Sequence, residues 1–207
     1  MIGRNNHYQI EKGSIAGVLL AAGASERMGK PKQLLFWHGK PFVYQITKNG
    51  LEAGLLPLNI ITGAHSAFVR EAVEDLPVQI TCNPNWKTGQ SSSMKVGLRA
   101  LPDDCDSVVF ILGDQPQVSP LLIRQLIEWR DETHAPIIAP LIDGQRGNPV
   151  LFGRETFKAL LEVTGDQGGR VIFGQFKVAW LPWVDRRLLL DVDVEGDEAA
   201  LRQAYFP

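Results

Sequence analysis

The chain is predicted to fold as an α/β sandwich built from βαβ units, and three observations carry that prediction. Short runs of unbroken apolarity recur along the chain, segments with helical spacing separate them, and glycine-rich stretches follow several of the runs. Continuous rather than alternating apolarity marks strands that are covered on both faces, as in a parallel sheet. At 207 residues the chain is long enough to bury a core without disulfide or metal staples. Residues 14–207 are read as one domain behind a polar lead-in, residues 1–13.

The first strand is predicted at Ile15–Leu20, and others at Leu58–Thr62, Val78–Cys82, Val108–Leu112 and Ile137–Ala139. Helices are expected between them at Pro41–Ala53, Ala67–Asp75, Ser92–Ala100 and Pro120–Glu132. In the last, Leu121, Leu122, Gln125, Leu126 and Trp129 repeat at helical spacing, Ser119 stands at the N-cap and Pro120 at the first helical position. Beyond Pro140 glycines punctuate shorter elements. Val150–Phe152 reads as a strand, Glu155–Val163 as a helix and Asp197–Tyr205 as a closing helix.

Composition excludes several function classes. The 21 Lys and Arg nearly balance the 23 Asp and Glu, so the broad basic field of a nucleic-acid binder is missing. Cys82 and Cys105 form no CxxC pair, and the four histidines are scattered, so free thiols in a reducing compartment are expected and no zinc motif is present. No apolar stretch is long enough to span a membrane and the N-terminus lacks a signal-peptide core, which makes a soluble cytoplasmic protein the expectation.

The chemistry concentrates in a few loops. After the first strand the chain reads Leu20-Ala21-Ala22-Gly23-Ala24-Ser25-Glu26-Arg27-Met28-Gly29-Lys30-Pro31-Lys32. Small residues let backbone N–H groups approach an anion, and Arg27, Lys30 and Lys32 add positive charge; a triphosphate site and an ordinary basic turn are both compatible with this. Neither GxxxxGK[ST] nor GxGxxG is matched. Asp114, just past the run Val108–Leu112, is either a turn former ahead of Pro116 or a carboxylate at the carboxyl edge of a parallel sheet, where ligands collect and where a carboxylate suits Mg²⁺. Ser91, Ser92 and Ser93 either cap a helix or contact a nucleotide.

Taken together, Leu20-Ala-Ala-Gly-x-x-x-Arg-Met-Gly-x-x-Lys32, Gly89-Gln90-Ser91-Ser92-Ser93, Leu112-Gly113-Asp114-Gln115-Pro116, Arg146-Gly147-Asn148-Pro149-Val150, Gly165-Asp166-Gln167-Gly168-Gly169-Arg170 and Asp191-Val192-Asp193 closely resemble the ordered motifs of the molybdenum-cofactor guanylyl- and cytidylyltransferases. The resemblance implies a three-layer α/β/α sandwich, Rossmann-like, with a mostly parallel sheet of the nucleotidyltransferase (glycosyltransferase-A-like) type. It implies transfer of CMP from CTP to the terminal phosphate of molybdopterin, with Arg27, Lys32 and Asp114 as catalytic residues. Leu20, Ala21, Ala22, Gly23, Arg27, Lys32, Gln90, Ser91, Ser92 and Gly113 would bind the nucleotide. Asp114 and Asp193 would hold Mg²⁺, with Asp191 as an adjacent candidate. Gln115, Arg146, Asn148, Pro149, Gly168, Gly169 and Arg170 would bind the acceptor.

The Ala21-Ala22-Gly23 form resembles the cytidylyl branch, whereas guanylyl enzymes more often carry an extra glycine there. Two positions depart from the family pattern: Asn148-Pro149 stands where relatives often have His-Pro, and Asp193-Val194-Glu195-Gly196-Asp197 stands for Asp-Thr-Pro-x-Asp. A molybdenum-dependent oxidoreductase or its maturation factor is the protein partner implied, and neither nucleic acid nor membrane is. A different nucleotide or phosphorylated acceptor, such as a sugar or isoprenoid phosphate, is the enzymatic alternative. A non-catalytic cofactor carrier is the alternative of another class.

Overall fold

The computed structural model describes residues 14–25, 28–190 and 203. The predicted helix Asp197–Tyr205 lies, apart from Gln203, outside them. The sheet has eight strands, with the path β10-β7-β9-β6-β1-β4-β5 and β8 paired to β7. The strands are β1 (Ser14–Ala21), β4 (Leu58–Thr62), β5 (Gln79–Cys82), β6 (Cys105–Leu112), β7 (Ile137–Ile142), β8 (Gln145–Arg146), β9 (Val150–Gly153) and β10 (Val178–Pro182). A separate hairpin joins β2 (Phe36–Trp37) and β3 (Lys40–Pro41). β6, β1, β4 and β5 run parallel, as do β7 and β10, while β9 lies antiparallel between β6 and β7.

Two apolar cores explain why the strands read as continuous apolar runs. Leu19, Ile60, Val109, Ile111, Ile138 and Leu151 point to one face, where they meet Phe42, Val43 and Ile46 of α1 (Phe42–Glu52), Val69 of α2 (Ser66–Ala72) and Leu122, Ile123 and Leu126 of α4 (Pro120–Thr133). Val18, Ile61, Val108, Phe110, Ile137 and Phe152 point to the other, against Met94 and Leu98 of α3 (Gln90–Arg99) and Leu160 of α5 (Phe157–Glu162). Alternate residues thus serve opposite cores, and the result is three layers. α3 packs close to the sheet because Gly97 faces Val18: a Cβ there would lie 2.5 Å from Val18 Cγ1.

The helix ends follow local chemistry where the sequence supplies it. Leu122 N–H donates to Ser119 Oγ at 3.2 Å, with Pro120 opening α4, and His134 closes the helix in the left-handed region. Ser119→Ala is expected to cost about 1 kcal/mol of stability, read as a lower urea midpoint at unchanged m-value. The predicted helix at Glu155–Val163 is instead a 3₁₀ turn, Arg154–Thr156, leading into α5. Both cysteines are free; Cys82 is exposed, and burial pushes the Cys105 thiol up. No helix among the described residues is long and apolar enough to cross a membrane.

Candidate functional site

β1 and β6 are neighbours, and their carboxyl ends deliver two loops to one place. Gly113 N–H donates to Leu20 O at 3.0 Å, and a Cβ on Gly113 would lie 2.9 Å from that same oxygen. Glycine is therefore what allows the β6 loop to close on β1 and bring Asp114 beside the Ala22–Ser25 loop. The loop's carbonyls are tied back: Ala22 O accepts from Ala64 N–H at 3.2 Å, Gly23 O from Gln33 Nε2 at 3.2 Å and Ala24 O from His65 Nε2 at 3.3 Å. In a trans peptide the N–H points opposite the carbonyl, so the amides of Gly23, Ala24 and Ser25 are turned away from those partners. Ser25 Oγ accepts from Lys32 N–H at 3.0 Å, fixing the base of the lysine. Lys32 Nζ lies 3.8 Å from Asp114 Oδ2, with the lysine side chain only 12% exposed and the aspartate 31%.

These groups line a cavity of about 830 Å³ together with Leu20, Ala21, Gln90, Ser93, Trp86 and Asp166. A second cavity of about 290 Å³ adjoins it and shares Leu20, Gln90, Leu112 and Asp166. Its walls are aromatic and cationic, with Phe110, Phe152 and Phe173 facing Arg146 and Arg170. The Arg146 guanidinium lies 5.3 Å from the centre of the Phe173 ring. Burial, and the nearby positive charge of Arg170, hold its pKa below the usual arginine range. An environment of this kind favours an anion carried on a flat ring system.

The residues expected to bind nucleotide largely converge. Leu20, Ala21, Ala22, Gly23, Lys32, Gln90, Gly113 and Asp114 line the larger cavity, and Arg146, Asn148, Gly168, Gly169 and Arg170 line the smaller one. Gln115 is buried and, like Pro149, is not among the lining residues of either cavity. Arg27, Asp191 and Asp193 lie outside the described residues. The serines divide: Ser91 and Ser92 depart from the capping reading, while Ser93 lines the larger cavity. α3 begins at Gln90, with Gly89 as its N-cap, so Ser91 and Ser92 sit inside the first turn and do not cap it. Their hydroxyls donate to backbone carbonyls, Ser91 to Gly165 O at 2.7 Å and Ser92 to Gly89 O at 2.8 Å, and Ser93 takes the cavity-facing place. Sequence reading passed over Trp86, Lys87, Gln33 and Asp166 as lining residues; an aromatic–Lys pair just ahead of Gly89-Gln90 was the available signal.

Among the described residues no group of three or more His, Cys, Asp or Glu side chains could hold a metal ion. Asp114 nevertheless offers an oxygen donor at the wall of the larger cavity, and Mg²⁺ is commonly held by one or two carboxylates plus substrate phosphates. The donor chemistry fits such an ion.

An open, mostly parallel sheet with its main cavity at the carboxyl ends of adjacent parallel strands places the chain among the α/β proteins that take ligands at that edge. The chain belongs to the MobA-like NTP transferase domain family, whose model matches residues 17–179. It is 30% identical over 92% of its length, and 95% of the relative's, to the nicotine blue oxidoreductase of Paenarthrobacter nicotinovorans. Identity is 30% to the probable molybdenum cofactor guanylyltransferase of Bacillus cereus strain Q1, covering 71% of this chain and 74% of that one. It is 22% to the molybdenum cofactor cytidylyltransferase of Escherichia coli K12, covering 91% and 95%. Among solved structures, the Rv0371c protein of Mycobacterium tuberculosis H37Rv in complex with manganese superposes with a TM-score of 0.76 at 28% identity, covering 92% of this chain and 98% of that one.

Proposed function

We propose that this chain transfers CMP from CTP to the terminal phosphate of molybdopterin and releases pyrophosphate. The observation that carries the reading is the meeting of two cavities at Leu20, Gln90, Leu112 and Asp166. The larger has a small-residue loop and a half-buried lysine suited to polyphosphate; the smaller has two arginines and three phenylalanines suited to a phosphorylated heterocycle. The names of the guanylyl- and cytidylyltransferase relatives support the same acceptor.

In this reaction an acceptor phosphate oxygen forms a bond to the α-phosphorus of CTP while the bond to the bridging α–β oxygen breaks. The nucleophile is already anionic, so no protein nucleophile is required. The barrier lies in bringing anions together and in the charge that builds on pyrophosphate, so positioning and electrostatic stabilisation carry the catalysis. Lys32 and the amides of Gly23, Ala24 and Ser25 would take the triphosphate charge, and Arg146 and Arg170 would hold the acceptor. Asp114 would hold Mg²⁺, which when bound supplies further charge neutralisation at the phosphates. Asp193 remains the proposed second carboxylate. Support for it comes from the Asp191-Val192-Asp193 motif alone.

The choice of base rests on the Ala21-Ala22-Gly23 sequence. Parallel titrations with CTP, GTP, ATP and UTP in the presence of Mg²⁺ test it: CTP is expected to bind tightest, and tighter GTP binding overturns the cytidylyl assignment. The similarity to a nicotine blue oxidoreductase favours a second reading, in which the larger cavity takes a nucleotide hydride donor and the smaller one an aromatic dye. Oxidation of a nicotinamide dinucleotide by the protein and such a dye, with no pyrophosphate formed from any triphosphate, would replace the transferase reading.

A further inference from the structure

The loop containing Gly168, Gly169 and Arg170 lines the smaller cavity, and the segment Trp86–Gln90 lines the larger. The two are bonded to one another. Ser91 donates to Gly165 O with both its N–H, at 3.2 Å, and its hydroxyl, at 2.7 Å, while Gln90 N–H donates to Asp166 Oδ1 at 3.3 Å. The first amides of α3, which a helix cannot satisfy internally, are thus capped from 76 and 74 positions further along the chain.

The seam is also sterically closed. Gly89 has φ +104°, and a Cβ on it would lie 2.4 Å from the carbonyl carbon and oxygen of Gly165 and 2.6 Å from Asp166 N. A Cβ on Gly168 would lie 2.7 Å from Gln90 Oε1. Gln90 and Asp166, one bonded pair of the seam, are among the four residues that line both cavities.

We propose that Asp166 is a positioning residue that couples the two cavities. Its bond to the first amide of α3 clamps the loop bearing Gly168, Gly169 and Arg170 onto the nucleotide side. A nucleotide that orders Gln90 and Ser93 then orders the acceptor loop as well. Linkage makes the effect reciprocal, so acceptor raises nucleotide affinity by the same factor. This coupling rests on the nucleotidyl-transfer reading for its ligands.

The test is amide hydrogen exchange with saturating CTP and Mg²⁺ and no acceptor, on the wild type, Asp166→Ala and Asp166→Asn. In the wild type CTP slows exchange at residues 20–25 and also, by about fivefold or more, at residues 168–170. Asp166→Ala keeps the first effect and loses the second. Asp166→Asn, which retains an oxygen acceptor for Gln90 N–H, behaves as the wild type. Steady-state rates follow the same split, with the acceptor KM of Asp166→Ala raised about fivefold and the CTP Kd measured without acceptor within about twofold of wild type. Asp166→Asn falling as far as Asp166→Ala overturns the proposal, because the charge would then act on a substrate directly. Protection at 20–25 with none at 168–170 in the wild type overturns the coupling alone. No protection anywhere with CTP, GTP, ATP or UTP overturns both the nucleotide reading and the coupling.

Discussion

Asp114→Ala is expected to lower the rate of nucleotidyl transfer by about 10²–10³-fold, the usual cost of deleting an electrostatic group aimed at developing charge. The carboxylate stands just past β6, held against β1 through Gly113, and lies 3.8 Å from Lys32 Nζ at the wall of the larger cavity. The side chain is partly exposed and outside both cores, so the variant is expected to unfold within about 0.5 kcal/mol of the wild type. Single-turnover rates at saturating CTP and Mg²⁺, with urea unfolding alongside, measure both quantities. Wild-type turnover in a folded Asp114→Ala protein contradicts the assignment.

Lys32→Ala is expected to lower kcat/KM for CTP by about 10²–10³-fold. The loss is expected on nucleotide binding as well as on the rate, since in the proposed reaction the lysine would face the triphosphate in ground and transition states alike. Its side chain is only 12% exposed and its backbone is fixed by Ser25, so its charge is poorly screened by water. Lys32→Arg is not expected to restore full activity, because a planar guanidinium differs in shape from a compact ammonium at the same point. Lys32 and Asp114 lie close enough for their effects to be non-additive. A double-mutant cycle on kcat/KM should therefore return a smaller loss than the product of the two single losses, whereas strict multiplicativity would mean that the two groups act on separate parts of the substrate.

Legibility in the sequence followed the range of the forces involved. The strands β1, β4, β6 and β7 were readable because both faces of each are buried, which leaves an unbroken apolar run; β5, at the sheet edge with Gln79 and Cys82 exposed, was readable only through the shorter run Val78–Cys82. Strand direction was not readable: Val150–Phe152 is apolar whether it runs with or against β6, and it runs against it. β10 was passed over although Val178-Ala179-Trp180-Leu181 is an unbroken apolar run; it lies at the sheet edge with Trp180 exposed and Pro182 at its end. Ser119 was legible as an N-cap since its bond spans three residues, whereas the start of α3 was not, since its caps come from Gly165 and Asp166. The same distance hid Asp166 as a lining residue of both cavities. Lys32 and Asp114, by contrast, were visible as chemistry-bearing residues beside apolar strand ends.

The proposed reaction joins a nucleoside monophosphate to an anionic acceptor across the two adjoining cavities. The most direct measurement incubates the protein with Mg²⁺, CTP labelled at the α-phosphate and purified molybdopterin, and follows both the mass of the product and the release of pyrophosphate. The expected result is an adduct carrying the α-label, formed in one-to-one ratio with pyrophosphate. Label that remains in CTP with no pyrophosphate released, under conditions where both ligands bind, would contradict it.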